Sequence, residues 1–255
     1  MARLEGKVVV VAGGSGGIGT ATCERLAAEG ACVVAGDLDG DGARAVAERI
    51  VANGGRAVGM HTDITDEASV RALVDLAVSE FGGVDGLHAN AADLSAETLA
   101  ADSDIVSMEM RTFDHVLAVD LRGHVLCTRA VVPALLERGG GALVYTTSDA
   151  AFAGEPQRPG YAIAKAGLCA LVRHVASKWG RDRVRANAVA PGVVLTRSFS
   201  DSGAEQTLGR LLSRARSWRL GDPADIAAMV AHLVSDDGQW INGQVLSVNG
   251  GMILR

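Results

Sequence analysis

The chain has 255 residues, of which 48% are hydrophobic and 4% aromatic, and its formal net charge at pH 7 is −6. This length suits one large α/β domain or two small ones, and the hydrophobic content is ample for a buried core. The negative charge argues against a general nucleic-acid-binding surface. No apolar run is long enough to span a membrane or to act as a signal peptide, so we expect a cytoplasmic protein without nucleic-acid or membrane partners.

Short β-branched runs alternate along the chain with longer runs of helical periodicity. The predicted strands lie at 7–12, 31–37, 57–63, 84–90, 141–147, 184–190 and 243–249. The predicted helices lie near 18–29, 41–53, 66–81, 110–138, 160–180 and 222–235. The alternation predicts a doubly wound α/β fold, with a parallel seven-stranded sheet and helices on both faces. Because no linker or internal repeat interrupts the pattern, we predict a single domain over 1–255.

A glycine cluster follows the first predicted strand, in the segment VVVVAGGSGGIGTATCERLAAEGA (8–31). Gly13, Gly17 and Gly19 leave room for the backbone to approach a pyrophosphate, and the next helix offers its N-terminal N–H groups. The second strand ends in Asp37, at a spacing that lets a carboxylate accept hydrogen bonds from the adenosine ribose. Because this carboxylate would repel a 2′-phosphate and no cation adjoins it, the pattern favours NAD over NADP.

The segment SDAAFAGEPQRPGYAIAK (148–165) places a serine, a tyrosine and a lysine close together in a chain with two tyrosines and three lysines. The helix predicted from Gly160 to about Trp179 puts Tyr161 and Lys165 one turn apart on one face. An ammonium beside a phenol lowers the tyrosine pKa below its usual value of about 10, which suits a proton donor and acceptor. The alternative is a surface tyrosine over a solvated lysine, and this pair alone does not decide between the two.

Two long polar segments, 92–107 and 196–222, each follow a predicted strand. Loops after the carboxyl ends of strands surround the ligand crevice of an open α/β sheet. We therefore expect substrate-binding walls here, with 196–222 as a lid, and the alternative is two ordinary surface excursions. The second segment could bind an acidic substrate through its arginines, but a polar helix with surface ion pairs is the preferred interpretation. These arginines are Arg197, Arg210, Arg214, Arg216 and Arg219.

The glycine spacing A-G-x-x-x-G-I-G, together with Ser148, Tyr161 and Lys165, resembles the short-chain dehydrogenase/reductase family. The resemblance covers essentially the whole chain, and further segments carry it. HTDIT (61–65) is similar to the family's adenine contact, ANAA (89–92) to its Asn-Asn-Ala-Gly strand end, APGVVLT (190–196) to its Pro-Gly-x-x-x-Thr motif, and INGQVLSVNGG (241–251) to its last strand. The resemblance implies a Rossmann-type domain that transfers a hydride between NAD and a secondary alcohol or ketone.

The resemblance also implies a role for each residue of the site. Tyr161 would protonate the carbonyl oxygen or deprotonate the alcohol, Lys165 would hold the nicotinamide ribose, and Ser148 would position the substrate oxygen. The implied cofactor-binding residues are Gly13, Ser15, Gly17, Ile18, Gly19, Asp37, Leu38, Asp63, Ile64, Asn90, Ala91, Tyr161, Lys165, Pro191, Gly192, Val194 and Thr196. Family members commonly form tetramers through the helices predicted here near 110–138 and 160–180, which implies a homotetramer.

Asp120 is the main departure from the family pattern. In LAVDLRG (117–123) it occupies the place of an asparagine that is thought to hold a water in a proton relay toward the lysine. A carboxylate accepts that hydrogen bond but cannot donate while ionised, and it adds negative charge near Lys165. We expect Asp120 to be a catalytic residue that orders the water and alters the pH profile. The alternative is a structural role in a helix bend.

Several other polar residues are given ordinary roles. Asp149 could face the substrate but is expected to be solvated at a strand end. Cys169 and His174 are expected to make core or subunit contacts. The four cysteines form no CxxC pair and fall in apolar stretches, and the six histidines are scattered, so we predict buried thiols and no metal site. The cysteines are Cys23, Cys32, Cys127 and Cys169.

Three functions remain open at the level of the sequence. The leading one is an NAD-dependent dehydrogenase or reductase acting on a small-molecule alcohol or carbonyl. The second is a dinucleotide-binding redox sensor with little catalytic activity. The intact set of Ser148, Tyr161 and Lys165 argues against a sensor, and Asp120 favours one. The third is a dehydration or epimerisation on the same scaffold, which would give no net change in NADH.

Overall fold

The computed structural model describes residues 2–196 and 208–254 and contains one seven-stranded sheet. The strands are β1 (Val8–Ala12), β2 (Cys32–Asp37), β3 (Arg56–His61), β4 (Gly86–Ala89), β5 (Gly141–Thr146), β6 (Val184–Pro191) and β7 (Val245–Val248). Their order is β3-β2-β1-β4-β5-β6-β7, and every pairing is parallel. The predicted doubly wound parallel sheet is confirmed, and the predicted strand ends differ from the observed ones by at most two residues.

Helices cover both faces of this sheet. They are α1 (Gly17–Ala28), α2 (Gly40–Ala52), α3 (Glu67–Phe81), α4 (Ala96–Ala101), α5 (Met110–Leu117), α6 (His124–Glu137), α7 (Ala150–Ala153), α8 (Pro159–Trp179), α9 (Leu208–Arg214) and α10 (Pro223–Val234). Side chains of α3, α6 and α8 pack in one apolar cluster, and those of α1, α2 and α10 pack in the other. None of the helices described is long and apolar enough to cross a membrane.

The strand order reverses direction between β1 and β4, and this reversal positions the site. The chain runs outward from β1 to β2 and β3, then returns to place β4 on the other side of β1. The turn after β1 and the loop after β4 therefore face each other at the carboxyl edge of the sheet. The backbone N–H groups of Asn90 and Ala91 both donate to the Ala12 carbonyl oxygen at 2.9 Å. A crevice at this reversal is the usual ligand site of an open α/β sheet.

Three predictions about local structure are corrected. The helix predicted over 110–138 is two helices, α5 and α6, joined by a π-helical segment at Ala118–Gly123. The polar segment 92–107 is not wholly irregular, because it contains α4, whose first turn is capped by the Ser95 hydroxyl. The short helix α7 follows β5 where no helix was predicted. Part of the predicted lid at 196–222 lies outside the described residues. This part is 197–207 and includes Arg197.

Candidate active site

The turn between β1 and α1 has no room for a side chain at Gly13 or at Gly19. Gly13 has a φ of +88°, and a Cβ atom there would lie 2.5 Å from the Ala91 nitrogen. A Cβ atom on Gly19 would lie 1.9 Å from the Gly13 carbonyl oxygen. The first turn of α1 carries no acidic residue, and its N-cap, Gly16, makes no side-chain hydrogen bond. The N–H groups of this turn are therefore available to an anion, as the glycine pattern predicts.

Asp37 lies at the end of β2, beside this turn. One carboxylate oxygen accepts a hydrogen bond of 2.9 Å from the Ser15 N–H, and the other accepts one of 3.0 Å from the Asp39 N–H. The side chain is half-buried, whereas that of Leu38 is exposed. The carboxylate thus anchors the glycine turn, and because it is only half-buried it can accept further hydrogen bonds. No side-chain cation contacts it among the residues that the structure describes.

Asp63 and Ile64 follow β3 and lie next to the same crevice. Hydrogen bonds from the Thr65 hydroxyl and N–H, at 2.7 and 2.8 Å, lower the pKa of Asp63 below its usual range. Ile64 is buried against Gly123, where a Cβ atom would lie 2.6 Å from the isoleucine Cδ1 atom. The two residues predicted near the adenine are therefore held rigidly by local contacts.

The loop after β6 closes the other side of the glycine turn. A Cβ atom on Gly17 would lie 2.9 Å from the Thr196 Cβ atom, so this threonine packs directly on the turn. Val194 forms a bridge with Gly221, whose carbonyl accepts a 2.8 Å hydrogen bond from the Leu195 N–H. The other two residues predicted here pack on neighbouring segments. The Pro191 carbonyl accepts a hydrogen bond from the Asp149 N–H, and Gly192 lies against the Asn249 side chain.

Tyr161 and Lys165 lie one turn apart on α8, as their spacing predicts. The Lys165 ammonium nitrogen lies 5.4 Å from the centre of the Tyr161 ring, and only 1% of the lysine is exposed. It also donates a hydrogen bond of 3.3 Å to the Thr146 carbonyl oxygen. The Thr147 hydroxyl donates to the Lys165 carbonyl at 2.8 Å, which fixes the end of β5 against this turn. Ser148 is the next residue and is half-buried.

Asp120 faces Lys165 from the π-helical segment. Its carboxylate lies 3.2 Å from the lysine ammonium, and the aspartate is fully buried. Burial raises the pKa of Asp120, and the nearby Lys165 charge opposes that rise. Within the described part of the chain the contact is an ion pair and not a well-aligned hydrogen bond. The structure thus places the negative charge of Asp120 directly beside Lys165, and its ordering of a water stays a prediction.

A chain of hydrogen bonds links the core of the sheet to the glycine turn. The Thr146 hydroxyl donates to the Asn90 side-chain oxygen at 2.9 Å, and the Asn90 amide donates to the Gly13 carbonyl at 3.0 Å. The single hydroxyl hydrogen of Thr146 is used in the bond to Asn90. In the 2.9 Å contact between His88 Nε2 and the Thr146 hydroxyl oxygen, the donor is therefore the His88 Nε2–H. No motif pointed to His88 or Thr146. Their signal in the sequence is a polar residue inside an otherwise apolar strand.

His124 supports the loop after β4 in a similar way. It is buried at the start of α6, and its Nε2–H donates a hydrogen bond of 2.9 Å to the Ala91 carbonyl oxygen. Burial lowers the pKa of both His88 and His124 to about 3, so both imidazoles are neutral at physiological pH. Neutral histidines that donate through Nε2 thus hold two of the residues that form the floor of the crevice.

Two further expectations are corrected. Asp149 is not solvated, because it is half-buried and its carboxylate oxygens each accept a hydrogen bond of 3.0 Å from the Asn249 amide. Of the two roles expected for His174, the core contact is corrected, because the residue is exposed on α8, where its ring meets that of Trp179 edge to face at 5.9 Å. A subunit contact stays a prediction.

The structure also describes the cysteines and most of the arginines of the predicted lid. All four cysteines are buried and free. Arg219 forms a surface ion pair with Asp225 at 2.6 Å, as the preferred interpretation of the arginines predicts. Arg216 donates to the Gly251 carbonyl at 2.8 Å, while Arg210 and Arg214 are exposed. Among residues 2–196 and 208–254, no group of three or more His, Cys, Asp or Glu residues is arranged to hold a metal ion.

Comparisons with known proteins agree with this geometry. The family model described as "Enoyl-(Acyl carrier protein) reductase" matches residues 12–253. A "probable short-chain type dehydrogenase/reductase" of Bradyrhizobium diazoefficiens is 38% identical and covers 99% of this chain and 89% of its own. A 7α-hydroxysteroid dehydrogenase, solved in complex with NADH and 7-oxo glycochenodeoxycholic acid, superposes with a TM-score of 0.91 at 32% identity, over 98% of this chain and 95% of that one. Levodione reductase gives a TM-score of 0.90 at 32% identity, over 98% of each chain.

The neutral state of His88 makes stability depend on pH. Above the usual histidine pKa of 6.5, this imidazole is neutral in both the folded and the unfolded chain. Between 6.5 and about 3 the unfolded chain binds a proton that the folded chain does not, so the unfolding free energy falls as the pH falls. In His88→Leu, unfolding should take up about one proton fewer than in the wild type. The slope of the unfolding free energy against pH should therefore be lower by about 1.4 kcal/mol per pH unit.

The measurement is urea unfolding at several acidic pH values. His174→Leu, which replaces an exposed histidine, is the matched control and should keep most of the wild-type slope. An unchanged slope in His88→Leu would contradict the neutral, buried assignment.

Proposed function

This chain belongs to the short-chain dehydrogenase/reductase family, and on that premise we propose that it is an NAD-dependent oxidoreductase acting on a secondary alcohol or ketone. Family membership makes it an oxidoreductase. The observation that carries the finer proposal is the contact of the Lys165 ammonium with the Tyr161 ring, 5.4 Å from its centre, at the edge of the crevice. A phenol beside a buried cation is suited to exchange a proton with a substrate oxygen.

The crevice has the shape and donors that a dinucleotide requires. At Gly13 and Gly19 an added Cβ atom would strike backbone, so the turn can approach a pyrophosphate closely. The N-terminus of α1 would hold the phosphates, Asp37 the adenosine ribose, and Thr196 the nicotinamide end. A bound NAD would supply the hydride acceptor for the alcohol carbon, and a bound NADH would supply the hydride for the carbonyl carbon. Asp37 without a neighbouring cation supports NAD over NADP, as does the NADH bound by the similar hydroxysteroid dehydrogenase.

The three residues at the end of β5 and on α8 divide the remaining work. In the oxidation direction the Tyr161 phenolate takes the hydroxyl proton from the alcohol, and in reduction the phenol returns a proton to the carbonyl oxygen. The Lys165 ammonium favours the phenolate and offers its donors to the nicotinamide ribose. The Ser148 hydroxyl would hold the substrate oxygen beside the phenol. The neighbouring segment 92–107 and the loop after β6 would form the substrate walls.

Removal of the Tyr161 hydroxyl tests this proposal. In Tyr161→Phe we expect kcat to fall by about 10²–10⁴-fold, because the acid/base group is lost while the cofactor cradle is intact. The assay is NADH formation from a panel of steroid, cyclic, sugar and aliphatic secondary alcohols, with NAD and NADP compared, beside direct measurement of NADH binding. We expect binding to be retained and NAD to be preferred.

Tyr145 provides a matched control, since it is the other tyrosine of the chain. Its hydroxyl is buried and bonds the Thr128 hydroxyl at 2.8 Å, away from the crevice. Tyr145→Phe should keep its activity. Tight NADH binding without turnover of any alcohol would instead favour the redox sensor, and turnover without a net change in NADH would favour dehydration or epimerisation.

Asp120 is proposed to take part in catalysis through its contact with Lys165. An ionised carboxylate 3.2 Å from the ammonium offsets part of the positive charge that favours the Tyr161 phenolate. Asp93 also lies close enough to oppose ionisation of Asp120, and the neighbouring His124 is held neutral by burial. The carboxylate is therefore expected to shift the pH range of activity upward.

The variant Asp120→Asn removes this charge and keeps the shape of the side chain. We expect the pH of half-maximal dehydrogenase activity to fall by about half to one unit, because the ammonium charge is no longer offset. The measurement is the pH dependence of kcat/KM. A profile that does not move would assign Asp120 to a structural role in the helix bend.

A homotetramer is proposed from the family resemblance, with pairing through α6 and α8. Exposed apolar side chains support contacts on both helices, with Leu136 at 38% and Ile163 at 46% exposed in the single chain. We expect sedimentation velocity at micromolar concentration to give four times the monomer mass. A monomer under these conditions would contradict the proposal.

A further inference from the structure

The helix that carries Tyr161 begins without a cap from its own sequence. Arg158 occupies the N-cap position with a φ of +61°, and its side chain makes no capping hydrogen bond. Pro159, the first residue of α8, has no N–H group. The N–H groups of Gly160 and Tyr161 therefore need an acceptor from elsewhere in the chain.

Asp102 supplies that acceptor from the end of α4, far away in the sequence. One carboxylate oxygen accepts a hydrogen bond of 3.0 Å from the Gly160 N–H, and the other accepts one of 2.8 Å from the Tyr161 N–H. The aspartate is only 2% exposed, which is unusual for a carboxylate. A negative charge that receives two N–H groups at a helix N-terminus is well stabilised.

The fit around this carboxylate is close. A Cβ atom on Gly160 would lie 3.2 and 3.3 Å from the two Asp102 carboxylate oxygens, so a side chain there would press on the carboxylate. The Asp102 carbonyl oxygen also accepts a hydrogen bond of 2.9 Å from the Arg158 N–H. The side chain and backbone of Asp102 thus accept from all three N–H groups at the start of α8. These belong to Arg158, Gly160 and Tyr161, because Pro159 has no N–H group.

Arg158 also lies against the tyrosine. Its guanidinium carbon is 5.7 Å from the centre of the Tyr161 ring, and the guanidinium pairs with Glu155. The Tyr161 ring is therefore near two cations, Arg158 before it in the helix and Lys165 after it. Asp102 fixes the backbone of both Arg158 and Tyr161, and so determines where the phenol lies relative to them.

We propose that Asp102 is a positioning residue that joins the segment 92–107 to the catalytic tyrosine. The inference rests on the proposed function, in which that segment forms a wall of the substrate site and Tyr161 exchanges the proton. Through Asp102 the wall and the acid/base group form one rigid unit. A change of the wall that displaces Asp102 would then change the proton-transfer geometry as well as substrate binding.

The test compares Asp102→Ala with Asp102→Asn. We expect kcat to fall by about 10–100-fold in the alanine variant, because a displaced acid/base group loses alignment. The asparagine variant should lose less, since its one amide oxygen can replace only one of the two acceptors. The NADH dissociation constant should not change, because Asp102 makes no contact with the glycine turn. Glu80→Ala, which removes an exposed acidic side chain on α3 outside the proposed site, is the control and should retain wild-type kcat.

A merely structural cap would give a different pattern. It would lower the melting temperature of Asp102→Ala but leave kcat unchanged at temperatures where the variant is folded, and this result would overturn the proposal. A double-mutant cycle with Gly160→Ala adds a second readout. The added methyl group should reduce kcat in the wild-type background and reduce it less in Asp102→Ala, where the carboxylate no longer blocks it. Equal effects in the two backgrounds would also contradict the proposal.

The NMR signals of labelled tyrosine separate this proposal from the proposed function. The chain has two tyrosines, so Tyr161→Phe assigns the ring signals directly. We expect the Tyr161 ring signals to shift or broaden in Asp102→Ala and to remain as in the wild type in Glu80→Ala. If the wild type turned over no alcohol, the proposed function would fail, and the ring signals would still decide the role of Asp102. Unchanged ring signals in Asp102→Ala would overturn it.

Discussion

The buried contact between the Lys165 ammonium and the Asp120 carboxylate is the constraint on which the rest of the site depends. Removing two charges from water costs several kcal/mol for each ion, and their mutual attraction repays this only with good geometry and additional hydrogen bonds. The ammonium donates one such bond to the Thr146 carbonyl oxygen. The π-helical segment is what brings the carboxylate within 3.2 Å, since it interrupts the regular course between α5 and α6 at this residue. A continuous helix would present a different side chain here.

The polar residues around this pair form a support that reaches the cofactor cradle. Thr146 holds Lys165 through its carbonyl and Asn90 through its hydroxyl, and Asn90 in turn holds the Gly13 carbonyl. The acid/base end and the phosphate end of the crevice are thus connected through a single residue of β5. His88 extends this network by donating from Nε2 to the Thr146 hydroxyl, and buried hydrogen bonds of this kind favour one arrangement of the side chains.

The features of the fold and site that could be predicted from the sequence are those that depend on local sequence patterns. The glycine turn, the strand that ends in Asp37 and the one-turn spacing of Tyr161 and Lys165 each involve residues a few positions apart, whose geometry follows from helix and strand periods. The missed features depend on tertiary contacts. The π-helical segment has no signature in a single sequence, and the capping of α8 by Asp102 joins residues 58 positions apart. A buried aspartate in a polar segment has the same local pattern as a solvated one.

The electrostatics of the core bear on the choice between an enzyme and a redox sensor. A protein that only binds a dinucleotide needs the glycine turn and Asp37, and would gain stability by replacing a buried ion pair with apolar residues. This chain keeps Lys165 and Asp120 buried beside a phenol, and it positions that phenol with a second buried carboxylate at Asp102. Asp120 was the one residue that favoured a sensor in the sequence. Because Asp120 contacts the lysine that neighbours Tyr161, it belongs to the proposed proton-transfer site and no longer favours a sensor.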